Sequence, residues 1–397
     1  MAKRKTSKAS NFERTYRILE YLKKNSDSEH TMSQAKLRKV PELEEYLGDK
    51  QTFNRMIVQA AMTMNFDSDD VKCEKEWNIV FDEFKRQFGD DVKNDEGEDD
   101  EYEDSMKIRN LYYNHTFSYK EINSIIEGIL ASKTIDSKTA NFLIDKIEKK
   151  LTSKYYKNGP KSICKIQEPE LVNKENMRDN LLIIQKAIDN NVCISFRFNR
   201  YNHKKMLEPI RKEKNTVSPY YIVASGGRYY LLACNENSKA SNKNMSIWRI
   251  DLMTAVEIPN RDNGLLNKGI PITPKNKVKN LPKEWSEDFH LSHINMSYDK
   301  PIRIRLKIKN SNNNENELNG NKVNYTFLHD WFGDTFKHIG KEKTDPFSDI
   351  VEVVCSPFGM VNWALQYSDV VEVIEPEHVR KQVVEKVENL IKKYMEG

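Results

Sequence analysis

The period of the hydrophobic pattern changes near residue 190, and this change constrains the fold more than any other feature of the chain. Upstream, apolar residues recur at helical spacing; downstream, Val192, Ile194, Phe196 and Phe198 alternate with Cys193, Ser195 and Arg197. A period near 3.6 marks a helix buried along one stripe, and a period of 2 marks a strand. A chain that holds the two in separate blocks needs more than one core, and 397 residues leave room for two to four domains.

The first block reads as short helices. Phe12, Tyr16, Leu19 and Leu22 share a stripe that stops at Asn25–Glu29. Ser33 can cap a second helix running through Leu37 to Lys39, ended by Pro41. Asp49 caps a third, in which Phe53, Met56, Ile57, Ala60 and Met64 recur regularly. Three such helices suggest a helix-turn-helix unit. Trp77, Val80, Phe81, Phe84 and Phe88 continue at helical spacing, and the acidic run Asp90–Asp104 follows. Like charges repel, so that run reads as a solvated, partly disordered loop, with shielding of a DNA-binding face as the sharper alternative. From Ile108 to Lys150 the pattern is helical again, and Asn158-Gly159-Pro160 punctuates it.

In the second block, Ser218–Ala224 and Arg228–Ala233 are β-like runs joined by Ser225-Gly226-Gly227, which suits a tight hairpin. Met245–Ile250 is a further strand. Consecutive short strands point to a small barrel or a strongly bent sheet. Residues 260–285, rich in Asn, Pro and Lys, read as a linker. The last hundred residues read as α+β. Ile302, Ile304, Leu306 and Ile308 alternate with Arg303, Arg305, Lys307 and Lys309 to give a strand with a basic solvent face. Strands at Ile350–Cys355 and Val370–Ile374 enclose a helix carrying Met360, Val361, Ala364 and Leu365, and Glu377–Met395 reads as a final helix.

The net charge of +4 is small for this length, so any basic surface has to be local. No apolar h-region follows the lysines and arginine of Met1–Ser10, and no apolar run is long enough to span a bilayer. A membrane partner is therefore not expected. The five cysteines include no C-x-x-C pair and read as reduced thiols.

Pro219-Tyr220-Tyr221-Ile222-Val223 followed by Gly227-Arg228-Tyr229-Tyr230-Leu231-Leu232 resembles the signature of the WYL domain family, with Tyr229 where the family name has Trp. The flanks agree: Ile194-Ser195-Phe196, Leu207-Glu208-Pro209-Ile210 and Trp248-Arg249-Ile250-Asp251 resemble segments of the same family. Leu252 stands where the family often has a further Arg. Gln51-Thr52-Phe53-Asn54-Arg55 resembles the start of the recognition helix in WYL regulators, Ser132-Lys133-Thr134-Ile135 their helical connector, and Val371–Pro376 with its following helix their C-terminal extension. The resemblance implies an α+β multidomain protein: a winged helix-turn-helix at 10–70, an acidic loop and connector at 71–177, an Sm-like β-barrel (the WYL domain) at 178–260, a linker at 261–297 and a ferredoxin-like domain at 298–397.

Two sites are expected. If Phe53, Met56, Ile57 and Met64 face a core, Gln51, Arg55 and Gln59 lie opposite, with Lys50 and Asn54 at the edges. Arg pairs with guanine, and Asn or Gln with adenine, through two hydrogen bonds in the major groove; an ordinary solvated helix face is the alternative. In the barrel, Ser195, Arg197, Arg211, Tyr220, Arg228, Tyr230 and Arg249 are the candidates to hold an effector. Guanidiniums interleaved with tyrosines offer charge-assisted bonds and π faces, which suit phosphates and bases. The alternative there is that the tyrosines pack a core and the arginines are surface charges. The WYL resemblance itself implies a nucleic-acid or nucleotide effector.

His290 and His293 lack a third ligand at a workable spacing, and no G-x-S-x-G, H-E-x-x-H or Gly-rich phosphate loop occurs. No enzyme, metal or cofactor is expected. The resulting expectation is a cytoplasmic bacterial transcription regulator, a homodimer on double-stranded promoter DNA whose affinity a single-stranded nucleic-acid or nucleotide effector sets. An accessory protein that binds single strands and modulates another machine, such as a defence complex, is the alternative.

Overall fold

A computed structural model of the chain describes residues 9–66, 73–89, 106–157, 159–160, 162–166, 174–237, 243–259, 269–309, 323–345 and 347–395. The acidic run Asp90–Asp104 lies outside the described residues. Contacts divide the chain into two compact units, Met1–Glu170 and Leu171–Gly397.

In the first unit, α1 (Asn11–Asn25) starts where the Ser10 hydroxyl accepts the amide of Glu13. The short helices α2 (Gln34–Leu37) and α3 (Glu44–Leu47) lead to α4 (Lys50–Asn65), capped by Asp49. Two short strands, β1 (Ile79–Val80) and β2 (Tyr112–Tyr113), pair antiparallel, and Met32 bridges to Leu111 beside them. Helix α5 (Asp82–Phe88) lies between the two strands in sequence. The stripe from Trp77 to Phe88 is therefore half strand and half helix, and Leu111–Tyr113 is strand rather than helix. All these elements share one core with Ile18, Leu22, Phe53, Ile57, Trp77, Phe84 and Leu111 at or near zero exposure. The N-terminal core thus extends to Tyr113, beyond the boundary at 70 read from the sequence. Helices α6 (Tyr119–Ala131) and α7 (Ser137–Leu151) follow as a hairpin, α6 opening with a Ser118/Glu121 capping box.

The second unit begins with α8 (Lys174–Asp189). Then come β3 (Ile194–Tyr201), β4 (Leu207–Pro209), β5 (Asn215–Ser225), β6 (Arg228–Asn235), β7 (Met245–Arg249) and β8 (Met253–Glu257). The antiparallel order is β4-β3-β5-β6-β7, with β8 on the other side of β3. One end of β3 lies between β5 and β8 and the other end pairs with β4, so the sheet curls on itself. The β5–β6 hairpin turns at Gly226 and Gly227, both at positive φ as their sequence requires. One face of the curl packs on α8 through Ile184, Ala187, Phe196, Leu231 and Ile250.

The segment read as a linker covers the other face: Val278, Leu281 and Phe289 pack on Tyr220, Leu232, Cys234 and Met245. A polar clasp fixes it. Glu236 accepts from Lys243 at 2.6 Å and from the Thr273 hydroxyl at 2.7 Å, while the Ser218 hydroxyl donates to Glu236 and accepts the Thr273 amide at 2.8 Å. Burial alone would raise the Glu236 pKa, but these partners together hold it below its usual value.

After α9 (Phe289–Ser292) the chain builds a β-α-β-β-α-β run: β9 (Ile302–Lys309), α10 (Thr326–Phe332), β10 (Lys337–Lys341), β11 (Ser348–Cys355), α11 (Pro357–Gln366) and β12 (Val371–Glu375). Helix α12 (Glu377–Met395) ends it. The sheet order is β10-β11-β9-β12, all antiparallel. Ile304, Leu306 and Ile308 are fully buried with Trp363 and Phe332. The basic face of β9 is largely neutralised: Arg305 reaches Glu375 at 3.1 Å and Glu352 at 3.6 Å, and Lys307 reaches Asp345 at 3.5 Å.

Candidate nucleic-acid interfaces

Helix α4 is buried around most of its circumference. Phe53, Met56, Ile57 and Ala60 face one side of the core, and Asn54, Val58, Ala61 and Asn65 form a second buried stripe. What is left exposed is narrow: Lys50 at the first turn, then Gln51, Arg55, Gln59 and Thr63 one turn apart. Asn54 does not belong to that face. It is 7% exposed and its amide donates to the Met106 carbonyl at 2.9 Å, so its hydrogen bonds serve the fold. The start of α4 is rigidly set: Asp49 accepts the Thr52 amide at 2.7 Å, which lowers its pKa, and Arg38 holds the carbonyl of Gly48, a residue at φ +63°.

The candidates on the curled sheet separate into three places. Ser195 and Tyr220 are buried, at 6% and 3% exposure. Ser195 is walled in by Thr216 of β5 and Glu257 of β8. The Tyr220 hydroxyl donates to the Thr273 carbonyl at 2.6 Å, and burial pushes its pKa up. Neither can contact an effector, because β8 and the 269–289 segment cover positions that alternation alone would leave open.

Arg228, Tyr230 and Arg249 do come together. Tyr230 and Arg249 are cross-strand partners on β6 and β7. Arg249 donates to Asp251 through Nη2 at 2.6 Å and Nε at 3.2 Å, and Arg228 Nη1 lies 3.5 Å from the same carboxylate. Asp251 is 1% exposed, whereas both guanidiniums are about one-third exposed. Its carboxylate raises the Arg249 pKa, with Tyr230 and Tyr201 adding to the effect. Asp251 occupies the Nε–Nη2 edge of Arg249; among the described residues nothing else bonds this guanidinium, so its outer edge can take an anion near Tyr230, its cross-strand partner.

Arg197 and Arg211 meet elsewhere. With Lys212, Pro209 and Ile210 they line an open groove of about 510 Å³. None of these three cationic side chains makes an ion pair among the described residues, which sets them apart from the basic face of β9. Asp251, Tyr201 and Lys212 were missing from the sequence-derived set. Only Asp251 had a readable signal, sharing a strand face with Arg249 two residues away.

Residues 179–258 match the family model of the WYL domain. The match runs from α8 to the end of β8 and so contains both cationic sites. No curated protein matches the chain. Among solved structures, the chain is similar to Proteasome accessory factor B/C (PafBC) of Arthrobacter aurescens, at 11% identity over 70% of this chain and 38% of that one, with a TM-score of 0.23. It is also similar to a protein described as CRISPR Cas-related, at 13% identity over 70% of this chain and 71% of that one, with a TM-score of 0.34. The chain therefore spans 38% of the length of the PafBC structure, and at these scores neither likeness carries an argument about mechanism.

The remaining reactive side chains of the WYL region and its neighbours are engaged in structure. Cys193 is buried against the Ser218 hydroxyl and the Pro271 carbonyl, and burial raises its pKa. His293 stacks on Phe289 with centroids 3.9 Å apart, and burial lowers its pKa, while His290 is exposed. Among the described residues no group of three His, Cys, Asp or Glu side chains is placed to hold a metal, and no helix is long and apolar enough to cross a membrane.

The groove makes a quantitative expectation. Removing a cation that contacts phosphate reduces the salt dependence of binding by roughly one ion per residue. Arg211→Ala and Lys212→Ala, titrated with a short single-stranded oligonucleotide, should each weaken binding and flatten the salt slope by about one. A slope equal to that of the wild type in both variants removes the groove from the site.

Proposed function

We propose that this chain is a DNA-binding transcriptional regulator of bacterial, cytoplasmic type, without enzymatic activity, whose promoter affinity is set by a nucleic-acid or nucleotide effector at its WYL domain. The exposed Gln51/Arg55/Gln59 stripe carries the reading. It stands on a helix whose other sides are buried, so those side chains are held in register on a fixed rod. The order α1, Met32 bridge, α2 to α4, β1, β2 supports a winged helix-turn-helix, with α4 as its recognition helix. The β-α-β-β-α-β order with β9 central supports a ferredoxin-like C-terminal domain. On the WYL domain, the outer edge of Arg249 with Arg228, Tyr230 and Tyr201, and the Arg197/Arg211/Lys212 groove, have the chemistry to take phosphates and bases. One such helix contacts few bases, so a two-fold dimer on a palindromic site is the geometry that fits.

Arg55→Ala tests the reading. A bidentate contact to a base is worth about 1–3 kcal/mol, so specific binding should fall by roughly ten- to a hundredfold per half-site. The exposed position leaves the melting temperature unchanged. Genomic footprinting of the wild type should find a palindrome near its own or neighbouring genes; no footprint, with single-strand binding intact, would instead favour the accessory reading, which the uncompensated groove supports by itself. Unchanged affinity of Arg55→Ala for the footprinted site sinks the α4 assignment.

A further inference from the structure

The segment that closes one face of the WYL domain ends in a shelf of aromatic rings. Trp285 is 42% exposed, the most open of the five tryptophans. Its ring is backed by Tyr221 of β5 and by Phe289, each with its centroid 5.6 Å away. Tyr221 is itself held in place. Its hydroxyl donates toward the Pro282 and Lys283 carbonyls at 3.2 and 3.1 Å and accepts from Lys275 at 3.1 Å. The Lys275 ammonium also lies 4.2 Å from the centroid of that ring. Strand register relates this shelf to the arginine pair. Tyr221 pairs with Leu232 and Leu232 with Ile247; two residues along, Val223 pairs with Tyr230 and Tyr230 with Arg249. Cross-strand partners share a face, so Tyr221 and Arg249 stand on the same one, roughly 12 Å apart. Charges on the covering segment nearly cancel: exposed Lys275, Lys277, Lys279 and Lys283 are set against exposed Glu284, Glu287 and Asp288. A phosphate gains little there, whereas a π face stacks any base and the carboxylates can accept exocyclic amino groups.

We propose that Trp285 is the floor on which a base of the effector stacks while the effector's phosphates lie against Arg249 and Arg228. The span between shelf and guanidiniums favours a single strand of several nucleotides over an inorganic or sugar phosphate, which would leave the shelf empty. Trp285 lies beyond the residues that match the WYL family model, so the covering segment completes the site. The proposal rests on the reading of this face as an effector site and narrows the effector to a base-bearing strand. Trp285 contributes stacking and no charge, so its share of binding is independent of salt, unlike that of the arginines.

The test is fluorescence anisotropy of the full-length chain with two labelled probes of equal length, oligothymidylate and the same backbone carrying abasic sugars. The wild type should bind oligothymidylate about tenfold more tightly than the abasic strand. Trp285→Leu keeps apolar packing on Tyr221 and Phe289 but has no π face. It should weaken oligothymidylate by about tenfold with an unchanged salt slope. Its affinity for the abasic strand should equal that of the wild type, which also reports an intact domain. Trp285→Phe restores a ring and should keep most of the affinity. Arg249→Ala should weaken both strands and flatten the slope. If Trp285→Leu has no effect on oligothymidylate, or costs both strands equally, the stacking role is overturned while the effector reading stands. A wild type that binds the two strands alike has the same meaning. A wild type that binds neither overturns the effector reading itself, and this proposal with it.

Discussion

Truncating Asn65 to alanine is expected to lower the stability of the N-terminal unit by about 3 kcal/mol. Asn65 is fully buried at the end of α4. Its carbonyl oxygen accepts the amides of Asn78 at 2.8 Å and Ile79 at 3.1 Å, and its own amide donates to the Ile79 carbonyl at 2.7 Å. Alanine leaves two backbone donors and one acceptor without those bonds in a place water reaches poorly, and each costs roughly 1 kcal/mol or more. The damage is also geometric. Those bonds fix β1 to α4, so the strand pair should loosen relative to the helix. Urea unfolding of the variant should show a lower midpoint with an unchanged slope. A loss well under 1 kcal/mol would mean that β1 is held by its apolar side chains alone.

On the WYL domain the prediction is an asymmetry. Arg249→Ala should cost about 2 kcal/mol, whereas Asp251→Ala should cost distinctly less. The carboxylate is the buried member of the pair and the guanidiniums are not. Removing the arginine leaves a desolvated charge with only Arg228 near it; removing the aspartate frees two arginines to turn into solvent. The double variant Arg249→Ala/Asp251→Ala should therefore recover most of the loss. Equal costs for the two single variants contradict this account of the cluster. Arg249→Lys separates stability from binding, since it keeps the charge but cannot hold Asp251 along one edge and a ligand along the other.

The sequence made the strands of the WYL domain legible for a simple reason: its alternation is regular and its hairpin has two glycines, so period and turn chemistry agree. Positions became ambiguous where a second layer covers the sheet. Tyr220 and Ser195 have the residue types of a binding face, and only the segment at 269–289 and strand β8 turn them inward. A stretch rich in Asn, Pro and Lys hides that role because it binds by a few widely spaced apolar residues and a polar clasp. Asn54 was obscured for the same reason on α4. Its stripe, Asn54–Val58–Ala61–Asn65, begins and ends on a polar residue, and the partners lie far off in sequence, at 78–79 in a segment that reads as helix and at 106 just past the acidic run. Polar side chains that satisfy distant backbone groups look, in sequence, like surface. The Arg197/Arg211/Lys212 groove depends on the fold of β3 against β4 and could not be read from spacing at all.

The hairpin of β6 and its neighbour β7 has a consequence for how such a protein changes over time. Tyr229, Leu231, Trp248 and Ile250 point into one core, while Arg228, Tyr230 and Arg249 point to the other side, which also holds the second core with Leu232 and Cys234 and carries the proposed ligand chemistry at its rim. Arg228 and Arg249, each about one-third exposed at the rim of that second face, thus answer to different demands from the residues that pack either core. Substitutions there can retune what the proposed sensor takes while both cores keep the scaffold intact, and a library randomised at 228, 230 and 249 on an Asp251→Ala background, which leaves no buried carboxylate unpaired, would be expected to yield many folded variants with altered preferences.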